Sequence, residues 1–164
     1  MTNTAIGSAC QKVKIVQTSP TVSGVIWRGG MPPQDDPRWG GGLYELVLDG
    51  DDWDYRKIHS GNCHGLCVQD ESIYVVDDLL GVVQLDRDYR VVSHHALPLN
   101  LRTHGLSWSS ELEAWFVACS YADKVLVLDP DFRIQKELFV SHKHRRDGSP
   151  QHHCNDVFAV GSSA

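Results

Sequence analysis

Two short motifs recur together along this chain at a period of about 40 residues. The first is Cys63-His64-Gly65-Leu66, which recurs as Thr103-His104-Gly105-Leu106 and, in altered form, as Cys154-Asn155-Asp156-Val157. The second is Leu85-Asp86-Arg87-Asp88-Tyr89-Arg90, which recurs as Leu128-Asp129-Pro130-Asp131-Phe132-Arg133. Two motifs that advance in step at this period are typical of propeller blades and similar arrays.

Short runs rich in β-branched and aromatic residues lie between the two motifs, bounded by Gly, Asp and Pro. No segment keeps an apolar period of about 3.6 residues over three turns, so little helix is expected. Each repeat is therefore predicted to be a blade of four antiparallel strands, the first carrying His-Gly-Leu. The other three strands are predicted at Ser72–Asp77, Gly81–Asp86 and Tyr89–Val92, and in the next repeat at Ala114–Cys119, Lys124–Asp129 and Phe132–Gln135.

The predicted fold is all-β, with about three propeller blades plus one strand in an incomplete ring. The chain is predicted to begin with an N-terminal tail (1–11) and an irregular first blade (12–62), whose middle strands are Val22–Trp27 and Leu43–Leu48. It then continues with a second blade (63–102), a third blade (103–153) and the first strand of a truncated fourth blade (154–164). That last strand would lack a partner, which closed propellers avoid. We expect a fragment of a longer propeller, or a homodimer that completes the ring; closure by the N-terminal segment would need very few blades.

Composition narrows the class of protein. Hydrophobic residues make up 41% and charged residues 22% of the 164 residues, which indicates a soluble globular chain. The net charge of −6 disfavours nucleic-acid partners. No apolar run approaches the roughly 20 residues of a membrane span, and the N-terminus has no signal-peptide pattern. Five cysteines, an odd number, favour free thiols in a reducing compartment, so a cytoplasmic location is expected.

From about Gly41 onward, the motifs resemble those of six-bladed propellers of the NHL and senescence-marker (gluconolactonase-like) class, including uncharacterised bacterial propellers. Asn155-Asp156 is similar to the Asn-Asp that opens one blade in gluconolactonase-like enzymes, where the Asn binds a divalent cation, commonly calcium. The resemblance implies a metal role for Asn155, with Asp156 beside it. That family also uses an early Glu, a second Asn and a later catalytic Asp, none of which is placed in this sequence, so the catalytic residues are unknown. Streptogramin-lyase-like propellers use a His at the start of a blade, where His64 and His104 lie.

The repeat register predicts where the candidate site residues meet. His64, His104 and Asn155 occupy equivalent positions at the start of successive innermost strands, which surround the channel of a propeller. We expect them at one mouth of that channel, with His153 just upstream; His64, His104 and His153 are the predicted ligand-binding residues. Cys63 and Cys154 lie one residue before His64 and Asn155, and imidazoles together with thiolates favour zinc or another transition metal. An Asn with carboxylates, as at Asn155 and Asp156, favours calcium.

A purely structural role for His-Gly-Leu is the alternative interpretation. The His would then satisfy a backbone carbonyl, the Gly would allow close approach, and the Leu would pack between blades. The change to Asn-Asp in the third copy favours a ligand-binding role.

Other residues are assigned structural roles. His94 and His95 are expected after the fourth strand and exposed. Asp77 and Asp78 end the second strand, where one of them could reach solvent or a cation; a solvated turn is the favoured expectation. The remaining assignments are turn positions for Asp86 and Asp129 and inter-blade core positions for Tyr74, Trp108, Trp115 and Phe116.

The predicted function is a polar central mouth that binds a small-molecule ligand, with a divalent cation, calcium or zinc, as the implied cofactor. In its complete form such a protein would be a metal-assisted lactonase or hydrolase, because a cation can polarise an ester carbonyl. The alternative is a non-catalytic scaffold for protein interaction, since propellers host both. The sequence does not decide whether the chain is an enzyme. Phosphate-loop, dinucleotide and Gly-x-Ser-x-Gly motifs are absent from the sequence, which disfavours hydride and phosphoryl transfer.

Overall fold

A computed structural model describes residues 12–19, 41–99, 101–141 and 152–160. All regular secondary structure in these ranges is β-strand, which confirms the predicted all-β class. The predicted tail and the predicted strand Val22–Trp27 lie outside the described residues. The strands are β1 (Val13–Ser19), β2 (Gly42–Asp49), β3 (Asp52–Ser60), β4 (Cys63–Gln69), β5 (Ser72–Asp77), β6 (Gly81–Leu85), β7 (Val91–His95), β8 (Thr103–Ser109), β9 (Ala114–Cys119), β10 (Lys124–Leu128) and β11 (Ile134–Phe139).

These strands form three antiparallel sheets that follow one another along the chain. The strand orders are β1-β2-β3, β4-β5-β6-β7 and β8-β9-β10-β11. In the two four-stranded sheets every strand pairs with its neighbour in sequence, as the strands of a propeller blade do. The described chain is therefore a partial set of blade-like sheets, with β4 and β8 as the first strands of the two regular ones.

The first strands of successive sheets approach closely at the His-Gly-Leu motif. A Cβ atom on Gly65 would overlap the carbonyl oxygen of His104 and lie 2.8 Å from the nitrogen of Leu106. A Cβ atom on Gly105 would lie 2.6 Å from Cα of Asp156. Backbone occupies the space that a side chain would need, so both positions require glycine. The predicted role of this glycine in close approach is confirmed.

The Leu-Asp motif forms the turn before the fourth strand of each regular sheet. Oδ1 of Asp86 accepts hydrogen bonds from the backbone N–H groups two and four residues later, both at 2.9 Å. Asp129 makes the same two contacts in the third sheet. Tyr89 and Phe132 have positive φ angles of 63° and 62° in these turns. Because a left-handed residue interrupts extended backbone, β7 and β11 begin two residues later than predicted.

The first sheet has three strands in the described residues. The predicted middle strand Leu43–Leu48 lies within β2, at the centre of this sheet. One face of β2 carries Glu45, which is only 3% exposed. Its carboxylate accepts hydrogen bonds from the hydroxyl of Tyr89 at 2.7 Å and from Nε of Arg56 at 2.8 Å, and Nζ of Lys14 lies 3.3 Å away. Lys14 and Arg56 belong to the first sheet, so the hydrogen bond from Tyr89 is the contact of this group that connects the first sheet to the turn of the second.

Aromatic rings fill the space between the second and third sheets. The rings of Tyr74 and Trp115 are 4.5 Å apart, and Trp115 stacks on Phe132 at 5.0 Å. His95 packs against the same Phe132 with ring centres 4.5 Å apart. The prediction for the two histidines was therefore partly wrong. Both belong to β7, and only His94 is exposed, because side chains alternate along a strand and His95 points into this interface.

Residues 152–160 lie against the start of the third sheet. The carboxylate of Asp123 accepts a hydrogen bond from the N–H of His152 at 3.0 Å, and the N–H of Ala159 donates to Oγ of Ser107 at 2.9 Å. The predicted first strand of a fourth blade does not form a strand over these residues. A strand needs a hydrogen-bonded partner, and this segment contacts the third sheet through side chains instead.

Candidate functional site

Predicted site residues meet where the first strands of the regular sheets begin. His64 and His104 are each the second residue of their strands, β4 and β8. Their imidazole rings stack, with ring centres 4.2 Å apart and planes at 14°. Nδ1 of His104 lies 2.9 Å from Oδ1 of Asn155. We call His64, His104, Asn155 and the neighbouring Asp78 the mouth cluster.

The contact with Asn155 determines which nitrogen of His104 carries the proton. An amide oxygen can only accept a hydrogen bond, so Nδ1 is the donor and Nε2 of the neutral ring keeps its lone pair. Nε2 of His104 is buried and makes no hydrogen bond to the described residues. The same is true of Nε2 of His64. The mouth cluster therefore contains two buried ring nitrogens that can bind a ligand.

The surroundings of His104 favour its neutral form. Burial lowers the pKa of His104 below its ordinary value, and a positive charge on the stacked His64 would lower it further. The hydrogen bond to Asn155 acts in the opposite direction but does not outweigh them. At neutral pH the ring of His104 is thus uncharged, which is the state in which imidazole binds a metal or accepts a proton.

Asp78 is the carboxylate of the mouth cluster. Its Oδ2 accepts a hydrogen bond from Nδ2 of Asn62 at 2.9 Å and lies 3.4 Å from Nε2 of His64, within ion-pair distance. Burial alone would raise the pKa of Asp78, but the neighbouring His64 and the other positive groups hold it below its usual value. The predicted solvated turn is wrong for this residue, because its side chain is only 14% exposed and faces the histidines.

The other two predicted site residues lie at the margin. The ring of His153 meets that of His104 edge-on, with centres 6.0 Å apart, and its side chain is exposed. Asp156 is exposed, and its Oδ1 accepts a hydrogen bond from the N–H of Val157 at 2.9 Å. The local backbone thus occupies one carboxylate oxygen of Asp156. Asn155 likewise uses its amide oxygen on His104, so these two residues offer a cation fewer free oxygens than predicted.

A second group of polar side chains lies between the first and second sheets. His59, Cys63 and Asp77 place one donor atom each within 4.8 Å of one another. Cys63 and Asp77 are 0% and 1% exposed. Oδ1 of Asp77 accepts hydrogen bonds from the N–H groups of Leu79 at 2.8 Å and Leu80 at 3.0 Å. Oδ2 of Asp77 and Nε2 of His59 are buried and make no hydrogen bond to the described residues.

Burial favours the uncharged forms of Cys63 and His59 in this second group. Burial, together with the charge of Asp77, raises the pKa of the Cys63 thiol to about 12. Burial also lowers the pKa of His59, although the charge of Asp77 opposes this shift. The neutral thiol of Cys63 and the neutral imidazole of His59 therefore face the carboxylate of Asp77.

This second group was not predicted from the sequence. The sequence offers the Cys63 thiol as part of the histidine site and a carboxylate at Asp77 or Asp78 that could reach a cation, but it gives no reason to group them with His59. One signal was present in the repeat itself. The pair Cys63 and Asp77, which face each other across β4 and β5, is replaced by Thr103 and Cys119 at the same register in the next sheet. A buried carboxylate that only one repeat carries is not a packing requirement of the repeat.

Comparison with known proteins adds no family to this description. No protein-family model matches the sequence, and no curated protein matches it. Among the described residues there is no helix with the length and apolar character to cross a membrane.

Proposed function

We propose that this chain is part of a β-propeller whose polar mouth binds a small ligand with the help of a divalent cation. The observation that carries the proposal is the state of His104. Its Nδ1 donates to Asn155 at 2.9 Å, while its buried Nε2 has no partner among the described residues. Metal-binding histidines commonly donate their other ring N–H to an oxygen acceptor, which fixes the orientation and tautomer of the ring.

The donors of the mouth cluster suit a transition metal better than calcium. His64 and His104 offer imidazole nitrogens, and Asp78 adds a carboxylate. Calcium takes about six to eight oxygen ligands, whereas zinc and related metals bind imidazole nitrogen. Asn155 and Asp156 use oxygens within the protein. We therefore propose zinc or a similar divalent cation, with Asn155 acting through His104 rather than as a direct ligand.

The same cluster contains a group that can move a proton. His64 lies beside Asp78, with Nε2 and Oδ2 3.4 Å apart, and both side chains are nearly buried. With His104 as the ligand of a cation, Nε2 of His64 would be left uncoordinated beside it and could take a proton from a bound water, so His64 would serve as the base and not as a second imidazole ligand. A divalent cation would supply polarisation of an ester carbonyl. Hydrolysis of an ester or lactone is therefore the activity that we propose for the complete propeller, as in the gluconolactonase-like class that the motifs resemble.

Calorimetric titration of chelator-treated protein with Zn²⁺ tests the proposal. We expect His104→Ala to remove one binding event that the wild-type chain shows. His94→Ala is the matched control, because His94 is an exposed histidine on β7, away from the mouth cluster, and it should bind as the wild type does. Unchanged Zn²⁺ stoichiometry and affinity in His104→Ala would refute the mouth site.

A scaffold for protein interaction is the second candidate function. It is favoured by the apolar side chains that residues 152–160 expose, Phe158 at 78% and Val160 at 89%. Exposed apolar groups of this size beside a sheet are typical of contact surfaces. A second copy of this chain is the partner that we propose. Light scattering should then show a dimer for the wild type and a monomer for Phe158→Ser; a monomeric wild type would eliminate the homodimer.

A further inference from the structure

We infer that His59, Cys63 and Asp77 form a second, buried binding site for a transition-metal ion such as zinc, between the first and second sheets. None of these residues belongs to the mouth cluster, so the inference stands independently of the proposed function. The donor set combines a thiol, an imidazole and a carboxylate, which are the three kinds of side chain that bind zinc in proteins. His59 lies at the end of β3, Cys63 begins β4 and Asp77 ends β5, so rigid strands hold all three.

The donor atoms are close enough to share one ion. The three donor atoms lie within 4.8 Å of one another. Ligands around a tetrahedral zinc ion are about 3.5 Å apart, so side-chain rotations that draw the donors inward by about 1 Å would complete the contacts. A Cβ atom on Gly61 would overlap Oδ2 of Asp77 and lie 3.4 Å from Nε2 of His59. Oδ2 of Asp77 therefore packs directly against Gly61, and only the absence of a side chain at Gly61 allows the carboxylate to lie beside His59.

Two donor atoms of this group need a partner that the described protein does not provide. Oδ2 of Asp77 is buried and makes no hydrogen bond, although Oδ1 of the same carboxylate accepts two. Those two backbone contacts orient the carboxylate, as outer hydrogen bonds orient the ligands of metal sites. A buried carboxylate oxygen without a partner costs free energy, which a bound cation would recover. Nε2 of His59 is likewise buried and makes no hydrogen bond to the described residues.

Charge balance also favours a divalent ion. Binding would release the proton of the Cys63 thiol, since a thiol that coordinates a metal is deprotonated. The resulting thiolate and the Asp77 carboxylate carry two negative charges, which neutralise one divalent cation, and His59 binds as a neutral ring. Because Cys63 and Asp77 are 0% and 1% exposed, this neutral arrangement is the one that burial permits. Three protein ligands would leave the fourth position of a tetrahedral zinc ion for water.

Cobalt spectroscopy tests this site, because Co²⁺ bound to a thiolate gives a charge-transfer band in the near ultraviolet. We expect this band when chelator-treated wild-type protein is titrated with Co²⁺, and we expect Zn²⁺ to abolish it by displacement. The band should be absent in Cys63→Ser. It should persist in Cys154→Ser, a matched control whose half-buried thiol lies on the segment beside the mouth, and in His104→Ala. No band in the wild type, or a band that survives Cys63→Ser, would overturn the inference.

A second variant keeps the test decisive if Cys63→Ser fails to fold. Asp77→Asn retains an oxygen that can accept from Leu79 and Leu80 but removes the negative charge. We expect its Co²⁺ affinity to fall by more than about tenfold, because even loss of an outer hydrogen bond costs metal sites about that much. Circular dichroism confirms that the variant is folded. Wild-type affinity in folded Asp77→Asn would likewise overturn the site.

Discussion

Nδ1 of His104 lies 2.9 Å from Oδ1 of Asn155, although 51 residues separate the two in the sequence. They occupy equivalent positions in successive copies of the repeat. Their contact brings the segment after the third sheet against the start of β8, beside the stacked rings of His64 and His104. It also fixes the tautomer of His104 and leaves its Nε2 for a ligand, which is the basis of the proposed mouth site.

In the proposed mouth site Asn155 positions His104, so its loss should weaken metal binding without abolishing it. Asn155→Ala removes the acceptor that orients the ring of His104. We expect Zn²⁺ affinity at the mouth to fall by about 10- to 100-fold, the range for outer-shell partners of metal ligands. Calorimetry measures this loss, and Asn155→Asp should restore most of the affinity because it keeps the acceptor. Equal affinities for wild type and Asn155→Ala would show that the contact does not position His104.

Gly61→Ala should destabilise the fold. The added Cβ would overlap Oδ2 of Asp77, a carboxylate that two backbone hydrogen bonds hold in place. Forcing an extra carbon into a packed site typically costs about 1–3 kcal/mol. Urea denaturation measures the free energy of unfolding, and Ser110→Ala, at an exposed turn, is the control. An alanine variant as stable as the wild type would show that the Asp77 carboxylate is not held against Gly61.

Acid should weaken the connection between the first and second sheets. Hydrogen bonds from Tyr89 and Arg56 outweigh burial and lower the pKa of Glu45 to about 2. A carboxylate with a depressed folded-state pKa contributes stability above its ordinary pKa, and this is lost as the pH falls from about 4.5 towards 2. We expect a loss of about 1–2 kcal/mol, allowing for the exposure of Arg56 and Lys14.

The pH dependence of urea denaturation measures the contribution of Glu45. Glu45→Gln should be less stable at neutral pH and should lose less stability on acidification. Glu71→Gln is the control, since Glu71 is an exposed residue paired with Arg87 on the surface. If Glu45→Gln and Glu71→Gln followed the same pH profile, the buried carboxylate would not be the source of acid sensitivity.

Trp115→Ala should severely destabilise the packing between the second and third sheets. The Trp115 ring is 3% exposed and packs between Tyr74 and Phe132, so truncation removes the centre of this interface. Such truncations cost about 3–5 kcal/mol. Trp53→Ala should cost far less, because Trp53 is 65% exposed on β3. Thermal denaturation distinguishes the two, and equal losses would contradict the inter-sheet core.

The repeat made the strands of the two four-stranded sheets largely predictable from the sequence. The strands Ser72–Asp77 and Ala114–Cys119 were predicted with the bounds that the structure shows, since each is a β-prone run between clear turn signals. The starts of β7 and β11 were not predicted correctly. The left-handed backbone of Tyr89 and Phe132 depends on hydrogen bonds that the side chain of the preceding Asp accepts, and residue type alone does not reveal these bonds.

The candidate sites were predictable to different degrees. Equivalence of repeat positions was enough to bring His64, His104 and Asn155 together. The second site was not predictable in this way. His59 belongs to the irregular first sheet, outside the repeat register, and only the chain path from β3 to β4 places it beside Asp77.

The most direct test of the mouth site is an anomalous difference map, recorded at the zinc edge from crystals grown with Zn²⁺. The account predicts a peak about 2.0–2.1 Å from Nε2 of His104, the normal bond length between zinc and imidazole. A map in which zinc occupies other positions but leaves Nε2 of His104 without a peak would contradict the central claim.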